Sequence, residues 1–206
     1  MMDDRISCLL ITGPPGIGKS SLLRGAVAPY RAAIGGFFCR RYLRGGECHA
    51  FGLCDVAESS DALEAQWQAD TRNCFLIVKD GRRVFNAGVF ERFGVALLRK
   101  SASAPLVLLD EIGGVELTCP IFATMLLNLM QSGVPCIGVL KGTKANESME
   151  RNADLPIGYP MVRQAFLDEI QQDARIQILK TEQIDQGIEQ EVSRFVSRAM
   201  QKGENG

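Results

Sequence analysis

Gly13-Pro-Pro-Gly-Ile-Gly-Lys-Ser20 decides how the rest of the chain is read. A continuous apolar run of strand length, Ile6-Ser-Cys-Leu-Leu-Ile-Thr12, leads into it, and helix patterning over residues 20–30 follows. An apolar run closed off by glycines predicts a strand buried on both faces, as in a parallel sheet covered by helices. Between such a strand and helix, Gly-x-x-x-x-Gly-Lys-Ser is the pattern of a phosphate-binding loop, the Walker A motif. Glycines let the backbone wrap closely around an anion, so that successive N–H groups point inward at phosphate oxygens. The helix that follows aims the positive end of its dipole at the same charge. The candidate nucleotide-binding residues are therefore Gly13, Pro14, Pro15, Gly16, Ile17, Gly18, Lys19, Ser20 and Ser21. Lys19 is also a candidate catalytic residue, placed to reach the β- and γ-phosphates, and the Ser20 hydroxyl is a candidate Mg2+ ligand.

The next informative stretch is Pro105-Leu-Val-Leu-Leu-Asp110-Glu111, a second buried-strand run that ends in two acids. This fits a Walker B strand: Asp110 at its carboxyl end would support Mg2+ beside the phosphate loop. Glu111, one residue on, would orient and polarise an attacking water and is a candidate catalytic residue.

Around these two strands the pattern predicts further elements. Residues 35–56 read as a β-hairpin about Gly45-Gly46, a dipeptide suited to a tight turn. With both glycines in the turn, Arg44 faces Glu47, Tyr42 faces His49 and Arg40 faces Phe51. One face then carries Phe38, Arg40, Tyr42 and Arg44, and the other Phe37, Cys39, Arg41 and Leu43. Arg44 is a candidate transition-state cation on this ground, and Arg40 shares its face. Arg41 falls on the apolar face, which requires either a carboxylate partner or another register. Residues 58–73 read as a connection or short helix, 74–78 as a strand, and 80–81 as a turn. Helices are predicted over 90–100 and 120–132, strands over 134–140 and 174–179, and an amphipathic helix over 184–200. Residues 141–159 read as an irregular surface loop and 201–206 as a frayed tail. Lys141, just past a strand, is placed either to sense the γ-phosphate or as an ordinary surface lysine. Without a repeat or linker, residues 1–206 read as a single domain.

Asp110-Glu111-Ile112-Gly113-x-x-Glu116-Leu117, with Phe122 following, is similar to the signature of the thermophile-type and cancer-related nucleoside-triphosphatase family. The loop at 13–20, Gly36-Phe37-Phe38 leading to Gly45-Gly46, and Phe90-Glu91 before a helix resemble that family too, so the likeness covers residues 6–140. The resemblance implies an α/β, three-layer, RecA-like P-loop fold. Its central sheet is mostly parallel, with helices on both faces, a β-hairpin insertion, and a strand between the loop strand and the Asp110 strand. It implies Mg2+-dependent hydrolysis of ATP, GTP and other nucleoside triphosphates to diphosphate and phosphate. Carried over by position, Lys19 and Ser20 bind phosphate and Mg2+, Asp110 supports the metal and Glu111 activates water. Glu116 matches a family acid without an assigned role. Relatives carry an arginine where this chain has Leu43, acids in place of Arg40 and Arg41, and Asn-Arg in place of Ile184-Asp185. Base recognition is therefore not carried over, whereas the phosphate chemistry is.

Composition narrows the remaining classes. Lys and Arg total 23 against 24 Asp and Glu, so there is no global attraction to nucleic acid or anionic membranes. No apolar run reaches membrane-spanning length. Seven scattered cysteines without a Cys-x-x-Cys pair, and an acidic start unlike a secretory signal, point to a cytoplasmic protein with reduced thiols. Two alternatives share the phosphate loop: a nucleotide or small-molecule kinase, with Arg151 and Arg163 as lid arginines, and a nucleotide-dependent switch or chaperone. A Ras-like GTPase would need Asn-Lys-x-Asp, which Thr143-Lys144-Ala145-Asn146 does not match.

Overall fold

The computed structural model describes residues 5–58, 62–153 and 155–204. The strands are β1 (Cys8–Thr12), β2 (Gly35–Arg44), β3 (Glu47–Asp55), β4 (Glu64–Gln66), β5 (Cys74–Lys79), β6 (Arg82–Phe85), β7 (Val107–Ile112), β8 (Cys136–Leu140) and β9 (Ile176–Lys180). The α-helices are α1 (Lys19–Val27), α2 (Val95–Ser101), α3 (Pro120–Gln131), α4 (Thr143–Asn152), α5 (Tyr159–Gln172) and α6 (Gln186–Glu204). A π-helical segment, Val89–Gly94, leads directly into α2.

The strands form one sheet in the order β6-β5-β3-β2-β7-β8-β1-β9, with β4 pairing on β2. From β2 to β9 the pairs are parallel, and β3, β5 and β6 are antiparallel. β8 lies between the loop strand β1 and the Asp110 strand β7, as the resemblance implied. The apolar runs follow from this position, because each central strand is covered twice. Leu9 and Ile11 pack with Leu23, Val192 and Phe195 under α1 and α6. Cys8 and Leu10 pack on the opposite face, in the cluster that holds Leu98, Phe122 and Phe166 from α2, α3 and α5. Full burial of such side chains contributes about 1.5–3 kcal/mol each. No described helix is long and apolar enough to cross a membrane.

β2 joins two parts of the molecule. Its first half, Gly35 to Phe38, pairs with β7, so that Phe38 lies level with Asp110. β3 pairs along its other side from Phe37 to Arg44, and the second half, running past the carboxyl end of β7, also pairs with β4. Gly36 is where the strand passes closest to β7: its φ is 106°, and a Cβ there would fall 1.9 Å from the Leu108 carbonyl oxygen. Gly36→Ala is therefore expected to destabilise the fold by about 3 kcal/mol, from left-handed strain plus overpacking. A urea midpoint equal to that of the parent would overturn this.

The hairpin departs from its predicted register. Arg44 pairs with Glu47 and Leu43 with Cys48, but Tyr42 then pairs with Ala50 and Arg41 with Phe51. His49 is the extra residue of a β-bulge, and its ring packs against Trp67 at 4.7 Å. The slip has a packing reason: Tyr42 lies over Gly52, where a Cβ would fall 2.6 Å from its ring, so a small residue must stand on the tyrosine's face. It also places Phe51 on the face of Cys39 and Arg41, and Arg41 has the carboxylate partner it required, Glu64.

Other boundaries move for physical reasons. The stretch 141–159 is not an irregular loop: it contains α4 and leads into α5, which has no counterpart among the predicted elements. Its polar sequence hid the helix because the inward face of α4 includes Asn146 beside Met149. Asn146 is satisfied by bonds to Tyr159 and Glu150. The tail is helical to Glu204, and 205–206 lie outside the described residues. Within 58–73 the chain forms the short strand β4, and 59–61 also lie outside them.

Candidate active site

The loop between β1 and α1 carries its glycines where the backbone needs them. Gly16 and Gly18 have φ of 81° and 95°, and Gly18 opens α1 from the left-handed region. A Cβ on Gly13 would fall 2.0 Å from the Thr181 carbonyl oxygen, so the loop lies directly against the backbone following β9. Lys19, the first residue of α1, folds back across the loop, its ammonium donating to the carbonyl oxygens of Gly13 at 3.0 Å and Pro14 at 2.6 Å. Burial lowers its pKa, while the Glu111 and Asp110 carboxylates oppose the shift. Pro15, Gly16, Gly18, Lys19, Ser20 and Ser21 line a cavity of about 370 Å³. Gly13, Pro14 and Ile17 shape the loop without lining that cavity.

The two acids enter the same cavity from β7. The Ser20 hydroxyl donates to Asp110 Oδ1 at 2.7 Å, across 90 residues of sequence. Asp110 is 2% exposed, and its Oδ2 has no hydrogen-bond partner. Burial pushes its carboxyl up to about 7, the Glu111 charge adding to this and the Ser20 hydrogen bond opposing it. A buried carboxylate oxygen left bare beside a serine hydroxyl is a donor set that suits a hard divalent cation, which would stabilise the charged form.

Glu111 turns to β8: Lys141 Nζ donates to its Oε2 at 2.6 Å. Burial alone would lower Lys141, but the Glu111 and Glu116 carboxylates outweigh it and hold it above its ordinary value. Lys141 thus belongs to the site. Two further residues fix this corner. Glu116 Oε1 accepts from the Gly113 and Gly114 amides at 2.6 and 2.8 Å, although burial raises its pKa. Arg163 of α5 donates to the carbonyl oxygens of Gly113 at 3.1 Å and Lys141 at 3.0 Å, tying the β7 and β8 exits together. It serves as a brace here. Sequence reasoning missed this tie because contacts to main-chain carbonyls leave no motif.

The arginines of the hairpin divide differently. Arg44 is exposed at the turn end of β2 and does not line the cavity. Arg40 lies over the Phe38 ring and donates to the Ala62 carbonyl at 2.9 Å. Arg41 and Arg83 line the outer end of the cavity. Trp67, half-buried, packs with Tyr42 and His49 and does not line it.

A family model described as NTPase matches residues 8–158. Nucleoside-triphosphatase THEP1 of Ignicoccus hospitalis is 31% identical over 147 residues, covering 70% of this chain and 81% of that protein. The chain belongs to the THEP1-type nucleoside-triphosphatase family. A more distant member, the mouse cancer-related nucleoside-triphosphatase homolog, is 23% identical over 144 residues, covering 64% of this chain and 74% of its own. Two solved structures share the fold. THEP1 from Aquifex aeolicus matches with a TM-score of 0.56 at 15% identity, over 93% of this chain and 98% of that one. A human cancer-related nucleoside triphosphatase matches at 0.58 and 16%, over 94% and 97%. The THEP1-type fold thus accounts for the mixed, mostly parallel sheet with its antiparallel hairpin region.

Proposed function

We propose that this member of the THEP1-type family is a Mg2+-dependent nucleoside-triphosphate phosphohydrolase, acting on ATP, GTP and related triphosphates to release diphosphate and phosphate. The observation that carries the reading is the meeting in one cavity of the loop lysine, the Ser20–Asp110 pair and the Glu111–Lys141 pair.

Loop amides and the Lys19 ammonium bind the β- and γ-phosphates, Lys19 exchanging the Gly13 and Pro14 carbonyls for phosphate oxygens. Ser20 and Asp110 would hold Mg2+, which offsets phosphate charge when bound. Glu111 orients a water against the γ-phosphorus and accepts its proton. The new P–O bond forms as the bond to the β–γ bridging oxygen breaks, and the diphosphate leaves. Lys141 fixes the Glu111 carboxylate at hydrogen-bond distance and adds a cation beside the terminal phosphate. Arg44, exposed at the hairpin turn, has no part in this scheme.

The test is phosphate release from ATP, GTP, CTP and UTP, each with Mg2+ and with EDTA. Release from several bases is expected, and chelation should lower it by about 10² or more, the scale of losing a major transition-state charge stabiliser. Equal rates with and without the metal would remove Asp110 and Ser20 from the role assigned to them. Release from none of the four would overturn the reading as a whole.

A further inference from the structure

The cavity does not end at Glu111. Lys19 and Ser20 grip the β- and γ-phosphates and Glu111 faces the γ-phosphate, so the triphosphate points from β1 toward β7. Its nucleoside then departs on the other side of β1, where residues 181–185 follow β9. That backbone lies against the loop: besides the Thr181 contact at Gly13, a Cβ on Gly18 would fall 3.9 Å from Ile184 Cγ1. None of residues 181–185 lines the cavity, which continues in the opposite direction, beyond β7 to β2, β3 and β5.

This remaining end has its own chemistry. Its apolar wall is Phe51, Phe75, Leu76 and Phe90, with the Phe75 and Phe90 rings 5.0 Å apart. Phe51 stands opposite Arg41 on one neighbour and Leu76 on the other, so its ring and the Arg41 guanidinium share a face. Arg41, two residues beyond Cys39, lies about 7 Å further out along the strand. It is committed to Glu64 in an exposed ion pair of 2.9 Å. Arg83 stands 5.6 Å over the Phe51 ring and has no carboxylate partner among the described residues.

From these features we propose that the outer end of the cavity binds a second ligand, a small anion with an aromatic body, beyond the γ-phosphate. The placement rests on the nucleotide reading given above. The aromatic body packs edge-on or offset against Phe51, Phe75 and Phe90. A carboxylate or phosphate on it takes the planar fork of Arg83, already held over a ring. A ligand in this position excludes the water that Glu111 orients, so it slows hydrolysis without competing for the phosphate loop.

The experiment uses 2-naphthoate and 2-naphthyl phosphate as probes and neutral 2-naphthol as control. They are titrated calorimetrically into the full chain saturated with Mg2+ and a non-hydrolysable ATP analogue. At least one anionic probe is expected to bind, with 2-naphthol at least tenfold weaker. Arg83→Ala is expected to lose about tenfold or more in probe affinity while its kcat and KM for ATP stay within twofold of the parent, which also shows that it folds. In steady state the probe should lower kcat with the KM for ATP unchanged. Absence of binding at millimolar probe, equal binding to the Arg83→Ala protein, or a probe that raises the KM for ATP would each overturn the proposal. So would a several-fold rise of that KM in Arg83→Ala, which would give this end of the cavity to the nucleotide base. A parent protein that releases no phosphate from any triphosphate overturns the hydrolase reading instead, and the probe titrations still decide this one.

Discussion

Lys19→Ala is expected to raise KM and lower kcat together, with kcat/KM falling by about 10³ or more. The ammonium is the first side chain of α1, and it crosses the loop to the Gly13 and Pro14 carbonyl oxygens. In the proposed mechanism it contributes twice, once in binding the ground-state phosphates and again as charge moves onto the β–γ bridging oxygen. Losing one such preorganised donor costs on the order of 10²–10³ in rate before any binding loss is added. The loop's shape does not depend on the lysine alone, because Gly13 is held against Thr181 and the left-handed glycines set its path. Thermal melting should therefore stay near that of the parent. Single-turnover rates and titration with a fluorescent nucleotide separate the two effects. A variant that binds and hydrolyses ATP at parental levels would take Lys19 out of the mechanism.

Glu111→Gln is expected to preserve nucleotide binding while lowering turnover by about 10²–10⁴, the range of general-base assistance. The substitution keeps the side chain's shape and removes its charge, so Lys141 loses its ion-pair partner. In the proposed mechanism the Lys141 ammonium, with only the Glu116 carboxylate left beside it, then faces the terminal phosphate less offset than before. Affinity should hold or improve, and the loss should fall in kcat. This pattern distinguishes a base from a residue that merely shapes the pocket, for which KM and kcat would worsen together. Parental turnover in this variant would reassign the water-activating role.

Lys19 and Glu111 stand out in the sequence because phosphate chemistry demands fixed residue types at fixed spacing beside buried strands, and both line the same cavity. Asp110 and Ser20 were found in the same way and meet at 2.7 Å. The central strands could be read because both of their faces are covered, so the apolar run is unbroken. Elements answering to side-chain partners were harder to see. α4 turns Asn146 inward, and a periodicity of apolar residues cannot register a helix whose buried face includes a hydrogen-bonded amide. The bulge at His49 escaped because alternation assumes an uninterrupted ladder. Here the room beneath the Tyr42 ring decides the register, and that is a three-dimensional quantity. Alternation puts Arg44 on the mixed face of the hairpin with Arg40, but it stands exposed at the turn end of β2 and off the cavity.

The brace at Arg163 bears on where this enzyme can be cut. The family model ends at residue 158, and every motif residue lies before that point. Arg163, β9 and α6 all come after it, and they hold the exits of β7 and β8, flank β1 and shelter Leu9 and Ile11. The family model and the folding unit thus have different borders in this protein. A fragment excised where the family model ends would keep the whole chemical vocabulary of the proposed reaction and lose the edge of the scaffold that holds those groups together.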